Sequence, residues 1–90
     1  MREKVEMKKS KIKIRFFAIL KEKMEGEEIF FEISPQATCG ELLFSLRDQF
    51  PCLAPLLSSC LVAVNGSYAS PAALLSDGDE LALLPPVSGG

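Results

Sequence analysis

The sequence contains no histidine and no tryptophan, and it has a single tyrosine. Histidine is the commonest general base near neutral pH, so its absence excludes a self-contained Ser-His-Asp or Cys-His triad. The three cysteines, Cys39, Cys52 and Cys60, are spaced neither as a Cys-x-x-Cys redox pair nor as a zinc ligand set. We therefore expect no metal site. Cys39 lies at a predicted helix start, where a thiolate is favoured, but we interpret it as a small buried thiol.

Long apolar stretches are also missing. None approaches the ~18 residues of a membrane span, and the N-terminus carries charges where a signal peptide has its apolar region. The formal net charge of −2 is uneven, because residues 1–10 are net basic and the rest of the chain is acidic. An acidic body argues against nucleic acid, which binds clustered Lys and Arg. We expect a soluble cytoplasmic protein with no membrane or nucleic-acid partner and a disordered extension over residues 1–10.

Two alternating segments predict a β-hairpin. Residues 11–18 alternate between apolar and basic side chains, and residues 28–33 alternate between apolar and acidic ones. Phe17 and Phe30 interrupt the polar side of each pattern. The connection over residues 19–27 is long enough to hold a helical turn. We interpret its glutamates and those of the second strand as a solvated edge and not as a recognition surface.

A helix follows this hairpin. Ser34-Pro35 stops the second strand, and Thr38 with Glu41 has the spacing of a capping box. Apolar residues then recur at helical spacing, so one stripe of the helix should pack on the sheet. They are Leu42, Leu43, Leu46 and Phe50. Pro51 closes the helix.

The second half of the chain predicts further strands. Residues 52–59 contain Pro55 and predict a loop with a short turn, and residues 60–64 predict an apolar strand. Asn65-Gly66 is a strong turn signal, because both residues accept positive φ. Tyr68 starts a short strand, and residues 80–84 form the last one.

This element order predicts an α+β fold. One main helix covers one face of a mixed four- to five-stranded sheet, the β-grasp arrangement of ubiquitin, over residues 11–85. The last strand should lie beside the first, at the centre of the sheet.

The tail over residues 86–90 is the candidate site. Pro85 and Pro86 fix φ, so they both end the strand and stiffen the base of the tail, while Gly89 and Gly90 are slim enough for a narrow channel. Val87 and Ser88 lie between them. A frayed terminus is the alternative explanation of the glycine pair.

Residues 77–90, DGDELALLPPVSGG, resemble the small, sulfur-carrying subunit of molybdopterin synthase. Further likeness lies in Phe16-Phe17-Ala18, Thr38 and Val64-Asn65, and it covers about residues 12–90. Leu83 and Leu84 stand where many members carry aromatic residues, a difference that bears on partner fit.

The resemblance implies a non-catalytic carrier subunit of a two-subunit sulfurtransferase. A ubiquitin-activating-like adenylyltransferase would use ATP to convert the Gly90 carboxylate into an acyl-adenylate, and a persulfide sulfur donor protein would then yield the thiocarboxylate. The large subunit of molybdopterin synthase would hold the active site in which the sulfur passes to a pterin precursor. The carrier itself would bind no cofactor.

Four apolar residues are candidates for partner docking on the uncovered sheet face: Phe17, Phe30, Leu83 and Leu84. The alternative is that a long loop covers them. Other functions also remain open: sulfur carriage for thiamine synthesis or tRNA thiolation, ubiquitin-like conjugation to lysines, or simple binding through the sheet.

Overall fold

The first two strands form the predicted hairpin. The computed structural model describes residues 9–86, in which β1 spans Ser10–Phe16 and β2 spans Glu28–Ile33. They pair antiparallel from Ser10↔Ile33 to Arg15↔Glu28, so the alternation predicted from sequence is confirmed. The connection contains helix α1, Ile19–Met24, which anchors the fully buried Leu20.

β1 ends earlier than predicted, because Ala18 leaves the extended region. Its φ is 55° and its ψ is −128°, a combination that alanine rarely adopts. The Ala18 carbonyl accepts hydrogen bonds from the amides of Lys21 and Glu22, at 3.0 and 3.3 Å, and so starts α1.

The main helix, α2, spans Cys39–Gln49 and begins with the predicted capping box. The Thr38 side chain accepts from the Glu41 amide at 3.1 Å, and the Glu41 carboxylate accepts from the Thr38 amide at 2.9 Å. Leu42 and Leu46 are fully buried against the sheet. The helical stripe predicted from sequence therefore faces the core.

The segment after α2 is more helical than the predicted loop. A 3₁₀-helix covers Pro51–Leu53, and a short helix, α3, covers Ala54–Leu57. Pro51 and Pro55 stand in the first turns of these helices, where a missing N–H removes no helical hydrogen bond. Proline is therefore compatible with the first turn of both helices, and the prediction of a loop with a short turn was wrong.

Three more strands complete the sheet: β3 over Leu61–Val64, β4 over Ser67–Tyr68 and β5 over Glu80–Leu84. Asn65 and Gly66 have φ of 50° and 88°, which confirms the predicted turn between β3 and β4. The strand order is β2-β1-β5-β3-β4, with β5 parallel to β1 and antiparallel to β3. This is the predicted β-grasp arrangement, with the last strand beside the first at the centre.

Helix α2 lies on one face of the sheet, and the other face carries mixed polar and apolar side chains. The core contains Ile12, Ile14, Leu81 and Leu83, all fully buried. No helix within residues 9–86 is both long enough and apolar enough to cross a bilayer.

Candidate functional site

The base of the predicted tail is held by the central strand. In β5, Leu83 pairs with Phe16 of β1 on one side and with Val62 of β3 on the other. Leu81 and Leu83 are both fully buried. A strand bonded on two sides and anchored by two buried leucines gives the residues after it a fixed starting point.

Pro85 and Pro86 follow directly. Strand β5 ends at Leu84, whose partner is Leu61, and Pro85 is half-buried while Pro86 is exposed. Proline has no N–H for a ladder bond, so it cannot extend a central strand. The predicted strand end is therefore confirmed. The remaining tail residues lie outside the described part of the chain; they are Val87, Ser88, Gly89 and Gly90.

The uncovered face carries an apolar surface beside the tail base, which we call the open-face patch. Its members lie near the C-terminal end of β5 and are Phe17, Leu61, Tyr68, Ala82 and Leu84. Directly paired residues point to the same face, so the pairs Leu61↔Leu84 and Ala63↔Ala82 place these side chains together. Phe17 follows Phe16, the partner of Leu83, and its ring lies 5.3 Å from the Arg15 guanidinium.

Of the four predicted docking residues, only Phe17 and Leu84 fall in this patch. Leu83 is fully buried and faces the helix, so its prediction as an exposed residue was wrong. Neighbouring residues in a strand point to opposite faces, so Leu83 and Leu84 cannot both be exposed on the open face. Phe30 is 61% exposed but lies on β2, at the sheet edge.

Sequence reasoning missed three members of the patch, Leu61, Tyr68 and Ala82. Leu61 is 56% exposed and Tyr68 is 75% exposed. Leu61 stands in a continuous apolar run, in which no alternation marks the outer face. Tyr68 was predicted only as the start of a strand, and its pairing with Ala63 places it on the open face.

A hydrogen-bond network holds the opposite end of β5. The Asp79 carboxylate accepts from the Asn65 side-chain amide at 2.9 Å and from the Ser76 backbone amide at 2.8 Å. The side-chain oxygen of Asn65, Oδ1, accepts from the Glu80 backbone amide at 3.0 Å. Asp77 accepts from the Lys11 amide at 2.7 Å. Together these bonds fix where β5 begins relative to β1 and β3.

The Cys39 thiol is not arranged as a reactive group. Cys39 is fully buried, and burial, with a smaller contribution from the Asp79 charge, raises its pKa. The Cys39 and Gly40 amides donate to the Ala73 and Pro71 carbonyls, both at 2.9 Å, so the helix N-terminus is occupied by backbone. Its interpretation as a buried thiol is confirmed.

A known protein family matches most of this chain. The ThiS family profile matches residues 14–90, from within β1 to the tail. The chain belongs to the ThiS family. A ThiS-family relative from Chlamydomonas reinhardtii, the "Molybdopterin synthase sulfur carrier subunit", is 36% identical over 81 residues, covering 88% of this chain and 98% of the relative.

Two solved structures similar to this ThiS-family chain belong to proteins that are named for different functions. SAMP1 from Haloferax volcanii, a small archaeal modifier protein, has a TM-score of 0.80 and 30% identity, covering 90% of this chain and 100% of its own. A complex of subunits 1 and 2 of molybdopterin-converting factor from Helicobacter pylori contains a chain with a TM-score of 0.62 and 28% identity. That match covers 89% of this chain and 99% of the other. These similarities establish the ubiquitin-like β-grasp fold.

Proposed function

We propose that this protein is the sulfur carrier subunit of a molybdopterin synthase, with the Gly90 carboxylate as its working group. The observation that carries the proposal is the central strand β5, bonded on both sides, which continues into Pro85-Pro86 and the sequence Val-Ser-Gly-Gly. The similarity to a protein named as such a subunit supports it.

The chemistry requires activation before sulfur can be loaded. A carboxylate is a poor electrophile, so a partner adenylyltransferase would use ATP to form a Gly90 acyl-adenylate and release pyrophosphate. A persulfide donor would then displace AMP, and reductive cleavage of the S–S bond by a thiol would leave the thiocarboxylate. That anion is the nucleophile delivered to the pterin precursor.

The tail has the reach for delivery into a partner. Residues 86–90 span roughly 17 Å when extended. Pro85 and Pro86 have restricted backbones, which lowers the entropy lost when the tail enters a channel. The active site would therefore belong to the large subunit.

The open-face patch is the proposed docking surface for that large subunit. It combines the exposed Leu61 and Tyr68 with Leu84, next to the tail base. Aromatic residues such as tyrosine are enriched in protein interfaces, where a few buried anchors carry most of the binding energy. A partner seated there would receive the tail directly.

The test is reconstitution with the purified adenylyltransferase, ATP and a sulfur donor, followed by intact-mass measurement. We expect a species heavier by one sulfur in place of one oxygen, with the change mapped to the Gly90 fragment. A variant with one alanine added after Gly90 should abolish loading without changing thermal stability. A chain with the same alanine added at the N-terminus is the matched control. Absence of the heavier species with all components active would refute the proposal.

A second candidate function is conjugation to lysines of other proteins, favoured by the similarity to SAMP1. Both functions begin with the same activated Gly90, so the end products must distinguish them. Pterin sulfuration by the reconstituted synthase supports the carrier function. A ladder of conjugates that disappears when Gly90 is deleted supports the modifier function.

A further inference from the structure

Among the residues that the structure describes, β2 is an edge strand whose outward backbone groups have no strand partner. The Phe16 amide donates to the Glu27 carbonyl at 2.8 Å, so this pair is of the hydrogen-bonded type in the β1–β2 ladder. Hydrogen-bonded and non-hydrogen-bonded pairs alternate along an antiparallel ladder. The N–H and C=O groups of Glu28, Phe30 and Glu32 therefore point away from β1, and within residues 9–86 no strand lies on that side.

The side chains of these same residues form a symmetric pattern. On the open face, Phe30 is 61% exposed between Glu28 and Glu32. The Lys11 and Lys13 ammonium groups lie 5.8 and 5.9 Å from the Phe30 ring centroid, on the inner side of the edge. No strand within residues 9–86 covers the outer side of Phe30, so an added strand can contact it there.

A groove continues the edge toward the helix side. It has a volume of about 350 Å³ and lies between Phe31 and Ile33 of β2 and the polar side chains of Glu41, Ser45 and Gln49 of α2. Alternate side chains of a strand added to β2 would enter this groove, and they would meet a mostly polar wall.

From this geometry we infer that the outer edge of β2 binds an extended basic segment of another protein by β-strand addition, with the pattern basic-x-apolar-x-basic. The apolar residue would lie against Phe30, and the basic residues would lie against Glu28 and Glu32. The outward residues follow the order Glu, Phe, Glu in either strand direction. The same peptide pattern therefore fits parallel and antiparallel addition. Main-chain hydrogen bonds supply affinity in this mode, and the alternate side chains supply specificity.

A second copy of the chain fits this edge poorly. Symmetric antiparallel pairing of two β2 strands centred on Phe30 would place Glu28 of each copy opposite Glu32 of the other. Like charges in directly opposite positions destabilise a sheet pair. Within residues 9–86, Glu28 forms an ion pair with Lys13 at 3.9 Å, whereas Glu32 forms none and can meet a cation of the partner strand.

The test uses the full chain and the peptide acetyl-Thr-Lys-Thr-Val-Thr-Lys-Thr-amide, followed by amide exchange in NMR spectra. We expect slowed exchange at the outward amides of Glu28, Phe30 and Glu32. The slowing should be about tenfold when the free peptide is at ten times its Kd. The amides of Ile29 and Phe31 already bond to β1 and should change little. A peptide with glutamate in place of both lysines is the matched control and should not bind.

Two sets of variants separate backbone pairing from charge attraction. Phe30→Pro removes one outward N–H while leaving the β1 ladder intact, so it should abolish protection, whereas Phe30→Ala keeps the N–H and should weaken binding only. The double variant Glu28→Lys/Glu32→Lys should bind the glutamate peptide in preference to the lysine peptide. Absence of protection with the lysine peptide, or equal binding of both peptides by the unsubstituted chain, would overturn the inference. The edge glutamates would then serve only to prevent strand pairing. None of these outcomes depends on sulfur loading at Gly90.

Discussion

Replacing Asp79 with alanine should destabilise the fold more than any other single change at an acidic residue described in this structure. The Asp79 carboxylate accepts hydrogen bonds from Asn65 and from the Ser76 backbone, at 2.9 and 2.8 Å. A hydrogen bond to a charged group contributes about 1.5–3 kcal/mol, and partial exposure here reduces that to about 1 kcal/mol each. The expected loss for Asp79→Ala is therefore about 2 kcal/mol.

The pairwise contribution of Asn65 can be isolated in a double-mutant cycle. Asn65 has a φ of 50°, so Asn65→Gly removes the side chain without adding backbone strain. The coupling energy with Asp79→Ala should be about 1 kcal/mol, because the shared hydrogen bond is lost only once in the double variant.

Urea unfolding at pH 7, followed by circular dichroism, measures these changes in the free energy of unfolding. In thermal unfolding, a loss of about 2 kcal/mol corresponds to a fall in Tm of roughly 8–16 °C for a domain of this size. The control is Asp48→Ala on the exposed side of α2, which should change stability by less than about 0.5 kcal/mol. If Asp79→Ala behaved like this control, the network could not be what fixes the start of β5.

Four further results are expected. Ala18→Gly should raise the free energy of unfolding by about 1 kcal/mol, because glycine tolerates φ 55° with ψ −128°. Ala72→Gly, at a residue with negative φ, is the control and should not raise it. Equal effects of the two changes would contradict the strain argument. At pH 8 an alkylating reagent should modify the exposed Cys52 first, since burial raises the pKa of the other two thiols, and equal rates for all three would be the contrary result. Because burial raises the pKa of Cys39 and Cys60, their contribution to the free energy of unfolding is fully present below the ordinary thiol pKa. It is lost as the pH rises through the raised pKa values of the folded protein. Leu83→Asp should unfold the protein, whereas Leu84→Asp should keep its circular dichroism spectrum and weaken large-subunit binding at least tenfold, about 1.4 kcal/mol; a folded Leu83→Asp would show that Leu83 is not a core residue.

Local sequence patterns predicted the elements whose chemistry is local. The capping box of Thr38 and Glu41, the Asn65-Gly66 turn and the last strand all depend on residues a few positions apart, and all are confirmed. The conformation of Ala18 could not be predicted in this way, because alanine carries no preference for positive φ. Tertiary packing determines it.

The proposed docking surface was predicted less well, because it depends on strand pairing. Leu83 and Leu84 both read as apolar, but only the register shows that Leu84 joins Leu61 on the open face while Leu83 enters the core. Strict alternation would have separated the two leucines. The exposure of Leu61 required knowledge of its partner strand.

The position of β5 also constrains how the chain is made. The ribosome releases β5 after the other four strands, yet β5 is the element that joins the β1–β2 pair to the β3–β4 pair. Its contacts span long sequence separations, such as Arg15 with Glu80, 65 residues apart. A nascent chain lacking β5 would therefore hold two unjoined hairpins with exposed apolar edges. The sheet closes only after β5 has emerged, so a chain that stops short of β5 lacks the two leucines, Leu81 and Leu83, that complete the core.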